Sequence, residues 1–194
     1  GLGSPAAMPV RILELGAFEG STTMWLAEHL LRHKDSWLLC VDLWSTASLA
    51  AVGQPIAGTP ELANTLGRFS ANVARTPNGG RVRTFRGSTL AALGGMIAAA
   101  ADGDQAAEGD AFDLIYVDAG HSASDVLADA ALAFRLLRVG GLVFFDDYHG
   151  RCRDGIDAAV AAHEPGTFER LEADQRYPQL LLRKVQAIPI VTPA

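Results

Sequence analysis

Three aspartates and one histidine carry the clearest chemical signal in this sequence. Asp118 follows one largely apolar run, the neighbours Asp146 and Asp147 follow another, and His121 lies three residues beyond Asp118. Carboxylates that come close together raise one another's pKa unless a cation compensates their charge. Ligands that are all oxygen atoms favour a hard divalent cation, Mg²⁺ or alternatively Mn²⁺.

These side chains meet only if two strands deliver them to one edge of a sheet. Residues 112–117 and 142–145 have the length and the Val, Ile and Phe content of strands that are buried on both faces. Residues 124–137 repeat apolar side chains at helical spacing, and strands joined through a helix are usually parallel. Because neighbouring strands lie about 4.8 Å apart, we expect the three aspartates to converge.

The same alternation of strands and helices continues along the chain. It predicts an α/β fold with a doubly wound, mostly parallel, seven-stranded sheet that a C-terminal antiparallel strand closes. The predicted strands are 10–15, 37–43, 82–85, 112–117, 142–145, 168–172 and 179–184. The predicted helices are 21–31, 61–74, 90–101, 124–137 and 154–163, and the polar segments 45–60 and 102–110 are predicted to be loops.

Length and charge narrow the class of protein. The chain has 194 residues and a net charge of −6, with no Lys/Arg-rich run, which argues against nucleic acid as a partner. No apolar run has the length of a membrane span, and no signal peptide is evident. Cys40 and Cys152 do not form a disulfide framework, so a reducing cytoplasm is the expected location. We expect residues 1–8 to be a tag or the cut edge of a longer chain, and residues 9–194 to form a single domain.

A second candidate site lies where the first predicted strand meets the first helix. Gly16 and Gly20 allow a ligand to approach the backbone, and the helix N-terminus offers unpaired N–H groups to an anion. Their spacing differs from the Gly-x-Gly-x-x-Gly fingerprint of dinucleotide sites, and Phe18 occupies the close-approach position. A pyrophosphate therefore fits badly here. The alternative is a glycine-assisted turn without a ligand.

Polar residues after the next two strands add weaker signals. Asp42 ends the second strand, where an acidic side chain can accept both ribose hydroxyls of a nucleoside-like cofactor or cap the strand end. Trp44 can line an adenine pocket. Ser88 and Thr89 follow the third strand and can contact an adenine, or can cap the following helix.

The order and spacing of these motifs resemble class I S-adenosylmethionine-dependent methyltransferases over residues from about 10 to 184. The nearest resemblance is to the metal-dependent small-molecule O-methyltransferases, of the catechol O-methyltransferase kind and of the natural-product and sugar kinds. The resemblance implies a Rossmann-like sheet, S-adenosylmethionine as methyl donor and a small-molecule hydroxyl as acceptor. The lack of a Lys/Arg-rich run argues, independently of the resemblance, against nucleic acid or an anionic membrane as the main partner. The motifs that carry it are Glu14-Leu-Gly-Ala-Phe-Glu-Gly20, Asp42, Val117-Asp-Ala-Gly-His121, Leu136-Leu-Arg-Val-Gly-Gly141 and Asp146-Asp-Tyr148.

The resemblance also implies roles for single residues. Asp42 would hold the ribose within a cofactor-binding set of Glu14, Gly16, Phe18, Gly20, Thr22, Asp42, Trp44, Ser88, Thr89 and Asp118. Asp118, Asp146 and Asp147 match the metal ligands. His121 falls where the catechol enzymes carry a catalytic lysine, which makes it the expected general base, and a histidine there fits the sugar and macrolide branch better.

The expected reaction is direct methyl transfer to a hydroxyl whose pKa a divalent cation lowers, with His121 accepting the proton. Three alternatives stay open: a metal-independent methyltransferase, a nicotinamide-binding oxidoreductase of the same fold class, and a non-catalytic cofactor-binding subunit. The sequence does not identify the methyl acceptor. It also leaves open whether the chain forms a homo-oligomer and whether a lid segment precedes the first strand.

Overall fold

A seven-stranded sheet with helices on both faces organises the structure, a computed structural model that describes residues 8–45, 64–101, 112–171 and 178–188. The strands are β1 (Arg11–Leu15), β2 (Trp37–Asp42), β3 (Val82–Arg86), β4 (Phe112–Val117), β5 (Leu137–Phe145), β6 (Phe168–Leu171) and β7 (Leu180–Lys184). The helices are α1 (Ser21–His29), α2 (Thr65–Ala74), α3 (Thr89–Ala101), α4 (Ala123–Leu136) and α5 (Gly150–Ala161). Among the described residues, no helix is long and apolar enough to cross a membrane.

The strand order confirms the predicted doubly wound fold. The order is β3-β2-β1-β4-β5-β7-β6, in which the first five strands are parallel and β7 pairs antiparallel with both β5 and β6. The chain moves outward from β1 to β3 and then returns to place β4 on the other side of β1. This reversal creates a crevice at the carboxyl ends of β1 and β4, which is where ligands bind in open α/β sheets.

Alternate side chains of the strands supply two separate cores. Leu13, Ile115 and Phe145 belong to the core that lies between the sheet and helices α3 to α5. Ile12 and Cys40 belong to the core on the other face, beneath α1 and α2. Because successive strand residues point to opposite faces, consecutive residues at a strand end also start toward opposite faces.

Two elements begin well before the residue that the sequence predicts. Helix α5 begins at Gly150 rather than at residue 154. Strand β5 begins at Leu137 rather than at residue 142, and its register with β4 shifts before Leu142. Gly140 has φ +80° within this shift, so the glycines accommodate an irregularity inside the strand rather than ending the preceding helix. The predicted loops lie outside the described residues, except for Ser45.

Candidate active site

The β1–α1 loop touches the end of β4 at Gly16. The Gly16 N–H donates to the carbonyl of Val41 at 2.9 Å, and the Asp118 N–H donates to the carbonyl of Leu15 at 2.8 Å. Gly16 has φ +84°, and a Cβ at this position would lie 1.9 Å from the carbonyl oxygen of Asp118. Only glycine fits so close to a neighbouring backbone in this conformation. The β1–α1 loop with Gly16 and Gly20, called the glycine loop below, therefore lies beside the strand ends with Asp118, Asp146 and Asp147. These strand ends are called the acidic edge.

Gly20 sets the start of α1. It has φ +88°, and its N–H donates to the carbonyl of Ala17 at 2.7 Å. Gly20 has no side chain that could cap the helix, so the N-terminus of α1 lacks an acceptor from its capping residue. Thr22 lies in the first turn of α1, close to Tyr116 of β4. The first turn of α1 is therefore near the strand that ends at Asp118.

The carboxylate of Asp42 holds the β1–α1 loop against the segment that follows β2. One oxygen, Oδ2, accepts the N–H groups of Ala17 and Phe18, each at 2.9 Å. The other oxygen, Oδ1, accepts the Trp44 N–H at 2.6 Å. The structure therefore shows the strand-end cap that the sequence offered as an alternative, and the ribose role of Asp42 stays a prediction.

The predicted adenine contact at Trp44 is largely buried. Its ring centroid lies 4.9 Å from that of Phe69, and its Nε1 donates to the carbonyl of Phe18 at 2.8 Å. Phe18 itself is 40% exposed and has φ +46°. Trp44 thus holds the backbone of the loop at Phe18, whereas the side chain of Phe18 is partly exposed to solvent.

The hydroxyl groups after β3 serve the start of α3. Ser88 Oγ accepts the N–H of Ala91 at 3.2 Å, which is the helix-capping alternative. Thr89, the first residue of α3, lies close to Asp129 of α4, which is 2% exposed. Burial raises the pKa of Asp129 to about 6. An adenine role for Ser88 and Thr89 stays a prediction.

Glu14 lies at the centre of the crevice floor and is fully buried. Its Oε2 accepts the hydroxyl of Thr23 at 2.5 Å and the thiol of Cys40 at 3.1 Å, and its Oε1 has no partner among the described residues. Burial raises the pKa of Glu14 from 4.5 to about 7, against the opposing effect of the two hydrogen bonds. The sequence analysis does not place Thr23 or Cys40 at the site, although Cys40 lies opposite Glu14 in the β1–β2 register.

The burial of Glu14 leads to a prediction of how the stability of the folded protein depends on pH. Its pKa is higher in the folded protein than in the unfolded chain, so its contribution to stability is fully present below pH 4.5 and is lost as the pH rises through 7. We expect the free energy of unfolding of the wild type to fall by about 2–3 kcal/mol more than that of Glu14→Gln between pH 5 and pH 8. Urea unfolding across this range measures the difference. Parallel pH curves for the two proteins would contradict it.

Asp118, His121 and Asp147 come together at the ends of β4 and β5. Their ligand atoms all lie within 4.8 Å of one another, and His121 Nδ1 lies 2.9 Å from Asp147 Oδ2. Burial, together with the charges of Asp146 and Asp147, raises the pKa of Asp118 to about 7. The arrangement gathers negative charge at one point, which is where a cation would be stabilised.

Asp146 does not belong to that group. Its Oδ1 accepts the hydroxyl of Tyr116 at 2.8 Å and the side-chain amide of Gln179 at 2.5 Å. Asp146 and Asp147 follow each other at a strand end, and their side chains have diverged to different partners. The structure thus groups His121, rather than Asp146, with the two other predicted ligands.

Tyr116 and Gln179 are site residues that sequence reasoning missed. Tyr116 lies two residues before Asp118, so the strand period of two places it on one face with the strand's acidic end. Burial is the main cause that raises the pKa of Tyr116, and the hydrogen bond to Asp146 is the second. Gln179 directly precedes β7, the antiparallel neighbour of β5, and only that pairing brings it to Asp146.

A small cavity lies beneath the group formed by Asp118, His121 and Asp147. Cys152, Phe145 and Ile156 line its apolar side. The Cys152 thiol donates to the carbonyl of His121 at 3.5 Å, which is possible because α5 begins early enough to place Cys152 in its first turn. The loop that carries His121 is therefore supported from below by α5.

Solved structures share this fold at low sequence identity. The cofactor-bound structure of Rv0187 from MTB has a TM-score of 0.60 and 19% identity, over 92% of this chain and 73% of that one. The O-methyltransferase from Bacillus cereus in complex with SAH has a TM-score of 0.57 and 20% identity, over 91% and 74% of the two chains. CalS11, a TDP-rhamnose 3'-O-methyltransferase in calicheamicin biosynthesis, has a TM-score of 0.58 and 15% identity, over 91% and 72%.

Sequence comparison gives the family. A search of curated proteins finds no match to the chain. The family model described as a methyltransferase domain matches residues 13–148, a span that runs from β1 through both acidic strand ends and covers more than half of the chain. With the strand order and the glycine loop at the switch point, this match shows that the chain belongs to the methyltransferase-domain family.

Proposed function

We propose that this protein transfers a methyl group from S-adenosylmethionine to a hydroxyl of a small molecule, with the help of a divalent cation. The observation that carries the proposal is the close approach at Gly16, which places the glycine loop against Asp118, so that a cofactor bound at the loop would lie beside an acceptor bound at Asp118. Two structural neighbours support it, one an O-methyltransferase in complex with SAH and the other a sugar O-methyltransferase. The family match favours methyl transfer over the nicotinamide alternative.

The chain's own residues would position the methyl donor. The uncapped N-terminus of α1 and the orphaned Oε1 of Glu14 would receive the polar end of the methionine part, a carboxylate and an ammonium group. Asp42 would hold the loops around the ribose, and Phe18 would cover the cofactor from the crevice surface. The sulfonium methyl would then point toward Asp118 at the neighbouring strand end.

Transfer requires an acceptor oxygen in line with the methyl group at roughly 3–3.5 Å. The oxygen supplies the electron pair of the new O–CH₃ bond, the C–S bond breaks toward sulfur, and the hydroxyl proton leaves for a basic side chain. The sequence assigns that proton to His121, and the structure places Asp147 against His121 Nδ1. A carboxylate in this position orients the imidazole and stabilises its charged form.

The donor set at the acidic edge fits a divalent cation. Asp118 and Asp147 supply carboxylate oxygens, and His121 supplies an imidazole nitrogen. Such a cation, when bound, lowers the pKa of a neighbouring hydroxyl. The residues of the edge would hold the cation beside the acceptor oxygen, whose developing negative charge the cation would balance.

A transfer assay with deuterated S-adenosylmethionine tests this function. We expect mass spectrometry to find the labelled methyl group on an oxygen of a phenolic or sugar acceptor. Exhaustive treatment with EDTA should abolish transfer, and Mg²⁺ or Mn²⁺ should restore it. Transfer that survives the chelator would move the protein to the metal-independent class, and label on a nitrogen or carbon would contradict O-methylation.

Asp42 gives a prediction for cofactor affinity. Asp42→Ala removes the acceptor of three backbone N–H groups and of the proposed ribose contact. We expect calorimetry to show S-adenosylhomocysteine binding weakened by about 1.5–3 kcal/mol, the range for losing hydrogen bonds to a charged group. Asp42→Asn is the matched control, because its amide oxygen can still accept from the loop, and it should lose less. Unchanged affinity in Asp42→Ala would remove Asp42 from the cofactor site.

A further inference from the structure

The donor atoms at the acidic edge form a mixed set rather than three carboxylates. Asp118, His121 and Asp147 can each place one ligand atom within 4.8 Å of the others. Their side chains are also accessible, because His121 is 36% exposed and Asp147 is 33% exposed. A cation that enters from the crevice can therefore contact one nitrogen and two oxygen atoms without a rearrangement of the backbone.

Asp146 is poorly suited to complete that set. Its Oδ1 already accepts two hydrogen bonds, from Tyr116 and Gln179, and both donors place positive hydrogen atoms beside this oxygen, where they oppose a cation. Breaking these bonds would leave the half-buried Tyr116 hydroxyl without its acceptor, which costs free energy. Asp146 still contributes negative charge near Asp118, as the raised pKa of Asp118 shows.

We infer that His121 is a direct ligand of the divalent cation, together with Asp118 and Asp147, and that Asp146 lies outside the coordination shell. The inference rests on the proposed function for the identity of the site. It differs from the sequence prediction, in which Asp146 is a metal ligand and His121 is the general base. In this role the imidazole of His121 would hold the cation rather than accept the proton of the acceptor.

A nitrogen ligand changes which cation the site prefers. Mg²⁺ takes oxygen ligands in octahedral geometry, whereas imidazole suits first-row transition metals. We therefore expect the site to bind Co²⁺ and Mn²⁺ more tightly than Mg²⁺, and His121 to account for much of that preference.

Titration of the full chain with Co²⁺ and Mg²⁺, in the absence of any methyl donor, tests the inference. We expect His121→Ala to weaken Co²⁺ binding by about 10–100-fold or more, since even residues behind metal ligands are worth that much. Asp146→Asn should bind Co²⁺ nearly as well as the wild type. His149→Ala is the matched control, because His149 is a neighbouring histidine that is 61% exposed and has its Nδ1 3.8 Å from Asp147. It should also bind like the wild type.

A measurement on the wild type alone covers the case in which a variant fails to fold. Pulsed electron paramagnetic resonance of bound Mn²⁺ should show coupling to a directly bound nitrogen, and the coupling should change when the protein is labelled with ¹⁵N-histidine. Three results would overturn the inference: no nitrogen coupling in the wild type, full Co²⁺ affinity in His121→Ala, or loss of affinity in Asp146→Asn alone.

These outcomes are independent of catalysis. A nitrogen-bound cation in a protein that transfers no methyl group would leave the inference intact and remove the proposed function. Methyl transfer that depends on a cation bound only through oxygen atoms would overturn the inference and leave the proposed function intact.

Discussion

His121→Ala is expected to lower the rate of methyl transfer by about 10²–10⁴-fold when the cation is below saturation, which is the range for removing a positioned catalytic group. The imidazole contacts Asp147 at 2.9 Å and belongs to the group of three that faces the crevice. The side chain is more than a third exposed, and the loop beneath it is supported by Cys152, so its removal should leave the fold intact. Steady-state kinetics with S-adenosylmethionine and a working acceptor measure the effect.

The dependence on cation concentration separates the two roles of His121. If His121 is a ligand, as we infer, excess Mn²⁺ should recover part of the lost rate, because the site is weakened rather than abolished. If His121 acts only as a base, the rate should stay low at every cation concentration. His149→Ala should transfer methyl groups like the wild type, and a near-normal rate for His121→Ala would show that His121 has neither role.

Gly16→Ala is expected to lower the free energy of unfolding by about 3–5 kcal/mol, from the strain of a positive φ together with a steric clash. A Cβ on Gly16 would lie 1.9 Å from a backbone oxygen of Asp118, and a backbone atom at a strand end cannot move aside as a side chain can. Typical domains are stable by 5–15 kcal/mol, so much of the stability would be lost. The shift should also separate the glycine loop from the acidic edge and abolish cofactor binding.

Urea unfolding of Gly16→Ala and Gly94→Ala provides the comparison. A Cβ on Gly94 would meet nothing within 4 Å, and Gly94 lies inside helix α3. Replacing a helix-interior glycine with alanine usually stabilises by roughly 0.5–1 kcal/mol. Equal stabilities for the two variants would contradict the close approach at Gly16.

The sequence predicts the fold well because buried parallel strands have a strong local signature. Length and composition predict the apolar strands at 112–117 and 37–43, and periodicity predicts the helices between them. Boundaries were less accurate where tertiary contacts decide them. Strand β5 extends back to Leu137 because Phe112 offers it a pairing partner, which no local pattern reveals.

The sequence predicts only part of the geometry at the candidate site, and the reason lies in side-chain direction. Asp118, Asp147 and His121 do converge, as strand ends at one sheet edge predict. The sequence cannot show that Asp146 turns to Tyr116 and Gln179, since that contact depends on β7 pairing with β5 from a distant part of the chain. Residues that serve a site through another strand are found only when the strand order is known.

Calorimetric titration with S-adenosylhomocysteine tests the central claim, that the crevice beside Gly16 is a cofactor site for methyl transfer. The account predicts saturable binding of S-adenosylhomocysteine by the wild type, weaker binding by Asp42→Ala, and no comparable binding of NAD. Absence of S-adenosylhomocysteine binding, or tighter binding of NAD, would contradict it.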